Sequence, residues 1–175
     1  MKLNLNIFII ILLLNIHFAL FAQTTQFIPL KVGNYWVYSN SDHPNKLDTV
    51  KVSDKEIVGS DTAYHYNGNL WMERNDTAFT FQSQRNGSSF PCIEYFPSDK
   101  SITYNIMIGG DVLGYRSVRK IEGEYKSSGV KYSNCYEYKQ MHEDGYGYVI
   151  ISAGIGIIES HNAKQIVTLV GYHIK

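Results

Sequence analysis

In "SITYNIMI", residues 101–108, apolar side chains stand at Ile102, Tyr104, Ile106 and Ile108, with Thr103 and Asn105 between them. A two-residue period of this kind predicts a strand with one buried and one wet face. "VKYSNCYEYK", residues 130–139, repeats the pattern, setting Val130, Tyr132, Tyr136 and Tyr138 against Lys131, Ser133, Glu137 and Lys139. Further strand-like runs precede these two, at 35–38, 48–58, 62–66, 70–73, 77–83 and 90–96. Turn residues divide them: "SNSDHPN", Gly59-Ser60-Asp61, Asn67-Gly68-Asn69, Asn75-Asp76 and Arg85-Asn86-Gly87-Ser88. The last two runs, 148–159 and 166–173, are apolar at both parities, which predicts strands covered on both faces and placed centrally or closing a barrel.

No stretch after the first two dozen residues carries the 3.6-residue apolar period of an amphipathic helix. Turn signals at short, nearly regular intervals then predict an all-β fold with little helix, an antiparallel meander forming a barrel, half-barrel or sandwich. No internal repeat or linker interrupts it, so residues 23–175 are expected to form one domain.

Residues 1–22 break the pattern. Lys2 is followed by an apolar run from Ile7 to Leu14 that continues less strictly to Phe21, and Ala22 supplies a small residue before Gln23. This is the layout of a secretory signal peptide, cleaved after Ala22. The strictly apolar part is shorter than the roughly 20 residues that span a bilayer. No cysteine lies near the cleavage point for lipid attachment, so no stable membrane anchor is expected after cleavage. The expected location is periplasmic or secreted, in a Gram-negative envelope.

Removing Lys2 leaves about 150 residues with one basic side chain fewer than acidic ones. Nucleic acid needs a basic face, so charge excludes it as a partner. All 14 tyrosines lie in the exported part, and aromatic and β-branched side chains suit a pleated, half-buried surface.

Candidate chemistry is thin. In "ISAGIGIIES", Gly154 and Gly156 suggest a phosphate loop, but such a loop needs a helix to open after the glycines. Here a strand-like run and the turn "SHNAKQ" follow, so the pair is read as a bend or bulge, or as bare backbone against which a bulky neighbour packs. Gly145-Tyr-Gly147 is read as a hairpin turn. The histidine-containing clusters, His142 to Asp144, "SDH" ending at His43, and Glu159 with His161, lack the spacing that aims two ligands at one ion. No metal, cofactor or catalytic residue is assigned. Carboxylates suited to sugar hydrolysis are present, but no pattern selects two of them.

Cys92 and Cys135 are the only cysteines. In an oxidising compartment a disulfide between them closes a loop of roughly 43 residues and stabilises by about 4 kcal/mol on the chain-entropy model. Two buried free thiols are the other reading, and a catalytic thiol a third.

Aromatic density is the remaining feature. It makes Trp36, Tyr38, Trp71, Phe79, Phe81 and Tyr104 the candidate ligand-binding residues, lining a cavity for an apolar ligand or stacking on sugar rings. Tyrosines that merely fill a β core explain the same density.

Pro29, Leu30, Gly33, Asn34, Trp36 and Tyr38 spell Pro-Leu-x-x-Gly-Asn-x-Trp-x-Tyr, and Gly154 with Gly156 forms a Gly-x-Gly pair near the end. In these features the chain resembles small exported bacterial all-β proteins of unknown function, over about a third of the exported part. The resemblance implies an exported β-domain with structural motifs and supplies no catalytic residue. Many proteins of that kind look like lipoproteins, and this chain lacks their acylated cysteine. The function expected is thus an exported non-enzymatic β-domain binding an apolar or amphipathic small molecule. The alternative is a surface module of the envelope that binds glycan or protein, with a hydrolase behind both.

Overall fold

The computed structural model describes residues 26–66, 68–74, 77–83, 89–108, 111–142, 145–162 and 164–175. Within them, the side chains of 79–83, 89–93, 107–108, 111, 113, 141–142 and 145 are outside the description, and the expected signal peptide at 1–22 and expected turns at 75–76 and 85–88 fall outside the described residues. The first half supplies β1 (Tyr35–Asn40), β2 (His43–Val58), β3 (Asp61–Tyr66), β4 (Asn69–Arg74), β5 (Thr77–Ser83) and β6 (Ser89–Tyr95). The second half supplies β7 (Ile102–Ile108), β8 (Asp111–Lys120), β9 (Tyr125–Ser127), β10 (Val130–Tyr132), β11 (Cys135–His142), β12 (Gly145–Ser152), β13 (Gly156–His161) and β14 (Ile166–His173). No helix forms among the described residues, and the predicted all-β antiparallel fold is the one observed.

Twelve of these strands make one sheet in the order β6-β5-β4-β3-β2-β1-β14-β13-β12-β11-β8-β7, while β9 and β10 pair as a separate hairpin. The meander is broken where the first strand pairs with the last, Tyr35 opposite His173 and Asn40 opposite Val167. The sheet is not laddered into a closed barrel, yet it curls until Cα atoms of its edge strands, β6 and β7, come within 8 Å. Side chains instead of backbone bonds bridge that seam. Tyr104 Oη donates to the Glu94 carbonyl at 2.9 Å, Arg116 Nη1 donates to the same oxygen at 3.4 Å, and Tyr138 Oη donates to the Phe96 carbonyl.

Two layers cover the sheet. Inside the curl, Phe27, Ile28 and Leu30 are buried and tie the two halves together. Phe27 N donates to Glu73 of β4 at 2.7 Å, while its ring meets Tyr136 of β11 edge-on at 5.4 Å. Outside, the β9–β10 hairpin lies over β12 and β13, because Tyr125 and Ser127 both donate to the Glu159 carboxylate. The hairpin turns at Ser128-Gly129, whose φ of 48° and 80° match the positive-φ turn that suits the twist of a two-residue hairpin.

Several sequence expectations are corrected. The run 130–139 is not one strand: it breaks at Ser133-Asn134, where Asn134 has φ 51°, so that Tyr132 ends β10 and Tyr136 and Tyr138 belong to β11, all three buried. Gly145 and Gly147 stand within β12, opposite His142 and Gln140, and do not form the turn. A Cβ at Gly147 would lie 3.1 Å from the His161 carbonyl, so the missing side chain serves close strand approach. The "SNSDHPN" segment is mostly strand, since a two-residue turn at Ser41-Asp42 starts β2 at His43 and a register shift absorbs the residues around Pro44. The run 148–159 folds back on itself at 153–155. β14 is central as expected, yet Val170 and Tyr172 along it are about half exposed.

Candidate functional site

Inward-facing positions of neighbouring strands assemble a continuous file of rings. Trp36 meets Tyr66 edge-on at 5.2 Å, and Tyr66 meets Trp71 edge-on at 5.1 Å. Trp71 then stacks on Tyr95 at 5.8 Å and 6°, and Tyr95 meets Tyr138 edge-on at 5.1 Å. Such geometries follow the ring quadrupole and add about 0.5–1.5 kcal/mol per pair beyond area burial.

Of the candidate binding residues, Trp36, Tyr38 and Trp71 are in this interior, and all three are buried. Trp36 Nε1 donates to the Ile155 carbonyl at 2.6 Å, and Tyr38 Oη donates to the Ile157 carbonyl at 2.9 Å. A Cβ at Gly156 would lie 3.3 Å from Trp36 Nε1, and Gly156 has φ 104°. The Gly-x-Gly pair is therefore bare backbone that admits an indole, as the sequence suggested. Tyr104 is apart from the file at the seam, tilted against Phe96 at 5.3 Å. Phe79 and Phe81 lie in β5, with side chains outside the described residues. Sequence reasoning missed Tyr66, Tyr95, Tyr138 and, above all, Arg116.

Arg116 is in β8, opposite Tyr104 of β7 and Gln140 of β11, and is 2% exposed. Its Nη2 donates to Gln140 Oε1, its Cζ rests 4.8 Å from the Tyr95 ring centroid, and its Nε has no hydrogen-bond partner among the described residues. None of the ion pairs among those residues includes it. Burying a cation costs on the order of several kcal/mol. A desolvated cation–π contact returns about 2 kcal/mol, and the hydrogen bonds return part of the rest, but no carboxylate among the described residues pairs with the charge. Trp71 Nε1, against the same Tyr95 ring, is a second buried donor without a partner among the described residues.

The other polar cluster holds the fold together. Tyr125 and Tyr148 each donate to Glu159 Oε1 at 2.9 Å, and Ser127 donates to Oε2 at 2.6 Å. Cys135 is a free, buried thiol whose Sγ donates to the Ser133 carbonyl at 3.5 Å, and burial raises its pKa. It is not in the disulfide considered above, and the unpaired reading stands for this residue; the Cys92 side chain lies outside the description. Among the described residues no group of three or more potential ligands could hold a metal ion, and the "HED" side chains fall largely outside them.

The buried hydroxyls set a pH limit. Burial raises Tyr66 and Tyr104 to about 12, and burial with the Glu159 carboxylate raises Tyr148 to about 12. Burial likewise lifts Tyr38 and Tyr138 well above 10. Since the folded pKa exceeds the unfolded one, stability is intact below pH 10 and is lost as pH rises through 12. Titrating with base while following tyrosinate absorbance and far-ultraviolet circular dichroism should show these rings ionising together with the collapse of strand structure. Their ionisation with the fold intact would contradict this.

No family model matches the chain, and no curated protein matches it. Among solved structures it is similar to a Bacteroides fragilis protein of YmcC-like fold, proposed to be exported, at 14% identity and a TM-score of 0.37 over 85% of this chain and 99% of that one. It is also similar to a proposed lipoprotein of Parabacteroides distasonis, at 13% identity and a TM-score of 0.34 over 85% and 99%.

Proposed function

We propose that this chain is an exported, non-enzymatic β-domain, periplasmic or secreted, that binds one amphipathic small molecule between the ends of its curled sheet. The seam is the main support. β6 and β7 face each other with no backbone ladder, and among the described residues side-chain hydrogen bonds to the Glu94 and Phe96 carbonyls bridge them. Parting two strands held in this way breaks far less than opening a laddered pair, and it opens onto an aromatic interior. Each methylene buried there contributes about 0.8 kcal/mol. The signal-peptide pattern of residues 1–22 supports export.

Decan-1-ol tests the reading. Titrated into detergent-free protein, it should change the fluorescence of Trp36 and Trp71 saturably, with one molecule bound. At about a hundred times its Kd it should raise the melting temperature by about 5–10 °C. An unsaturable signal with no thermal shift would overturn the proposal.

A second reading, glycan binding, is favoured by one observation. Tyr115 of β8 and Tyr146 of β12 stand in register on either side of Met141, both exposed, at roughly 10 Å across two strand spacings. Retention on immobilised envelope glycan, without a response to decan-1-ol, would favour this reading over the first.

A further inference from the structure

We propose that Arg116 anchors the ligand through an anionic head group, a carboxylate on a single apolar chain; this inference rests on the binding reading above. A guanidinium carries five N–H donors. Among the described residues those of Arg116 meet neutral acceptors, the Gln140 amide oxygen, the Tyr104 hydroxyl and, at a long 3.4 Å, the Glu94 carbonyl, while Nε meets none. The Trp71 indole N–H, stacked against the same Tyr95 ring, is a second buried donor without an acceptor among the described residues. Around Tyr95 the described residues thus present unpaired donors and a positive charge. The complement of such a set is a group with acceptors only and a negative charge, and a carboxylate pairs with a planar guanidinium through two parallel hydrogen bonds.

The position supports the same assignment. Arg116 is immediately behind the seam, since the Glu94 carbonyl that receives its Nη1 also receives Tyr104 Oη from the edge strand. A head group passing between β6 and β7 reaches the guanidinium by displacing the hydrogen bonds that Tyr104 and Arg116 donate to the Glu94 carbonyl. Its aliphatic chain then lies where Phe96 and Tyr104 now pack on each other. A purely structural arginine, by contrast, gains its keep from a carboxylate partner or a full set of carbonyl acceptors. Neither is present among the described residues.

The experiment compares sodium decanoate, decan-1-ol and decyltrimethylammonium by tryptophan fluorescence at neutral pH, on the wild-type protein, Arg116→Met and Arg116→Lys. In the wild type, decanoate should bind about tenfold or more tightly than decan-1-ol, with the cationic amphiphile weakest. Arg116→Met should lose that preference, binding decanoate no more tightly than decan-1-ol, and Arg116→Lys should keep part of it. Without ligand, Arg116→Met should melt at or above the wild-type temperature, because a buried charge with no carboxylate partner among the described residues has gone. Equal affinity of the wild type for decanoate and decan-1-ol would overturn the role of Arg116 while leaving the binding reading intact, and so would a decanoate preference that survives in Arg116→Met. A lower melting temperature for Arg116→Met would mark the residue as structural. No binding of any of the three would remove both readings.

Discussion

Trp36→Ala should lower the stability of the fold by about 3–5 kcal/mol, the range for deleting a fully buried large aromatic side chain. The indole is completely buried, starts the ring file by meeting Tyr66 edge-on, and donates to the Ile155 carbonyl in the β12–β13 turn. Its loss removes apolar burial, an aromatic pair and a hydrogen bond spanning 119 residues of sequence. Gly156 cannot relax into the space, having no side chain to move. Domains of this size are stable by about 5–15 kcal/mol, so the variant should unfold at a much lower urea concentration, with an unchanged slope if its unfolded state is ordinary. Trp36→Phe keeps most of the burial and should recover more than half of the loss. A midpoint for Trp36→Ala within error of the wild type would show that the file is not the core of the fold.

Asn34→Ala should cost about 2–4 kcal/mol through polar groups left buried without partners. Asn34 is fully buried, its Nδ2 donating to the Pro29 carbonyl at 2.7 Å and its Oδ1 accepting from Lys175 N at 3.0 Å. Its backbone is fixed as well, with N donating to the Lys31 carbonyl and O accepting from Val52 N. One amide therefore ties the opening turn to the segment after β14, and removing it strands a carbonyl on one side and an N–H on the other. Asn34→Asp should be no better, because it keeps an acceptor for Lys175 but faces Pro29 O with a second acceptor. Thermal unfolding of both variants checks this, and a small effect in Asn34→Asp alone would contradict the assigned amide orientation.

These two residues show how far the sequence could be read. Asn34 and Trp36 belong to the Pro-Leu-x-x-Gly-Asn-x-Trp-x-Tyr pattern, whose features were read as structural, and they are buried in hydrogen-bonded turns and core. Alternation was enough to mark strands and the all-β class, because period two is a local property of the chain. It could not give the pairing of β1 with β14, nor the approach of β6 to β7, which depend on how the whole sheet curls. Run 130–139 misled because tyrosines continue the alternation across a reversal that only the positive φ of Asn134 reveals. Arg116 was passed over for a related reason. In "GYRSVRK" it shares parity with Val118, a buried position, but a charge is ordinarily read as solvent-facing, and only the structure places Tyr95 beneath it. The aromatic candidates were half legible: density found Trp36, Tyr38 and Trp71, while the rings that join them, Tyr66, Tyr95 and Tyr138, come from other strands and needed the topology.

The central claim, that the curled sheet holds an amphipathic molecule, is tested most directly by native mass spectrometry of protein purified from a periplasm without detergent, set against the same sample denatured. The account predicts an excess of about a few hundred daltons that disappears on denaturation, carried by a molecule with an aliphatic chain and, if Arg116 anchors it, a carboxylate. Equal native and denatured masses, both as purified and after incubation with an envelope lipid extract, would contradict the account.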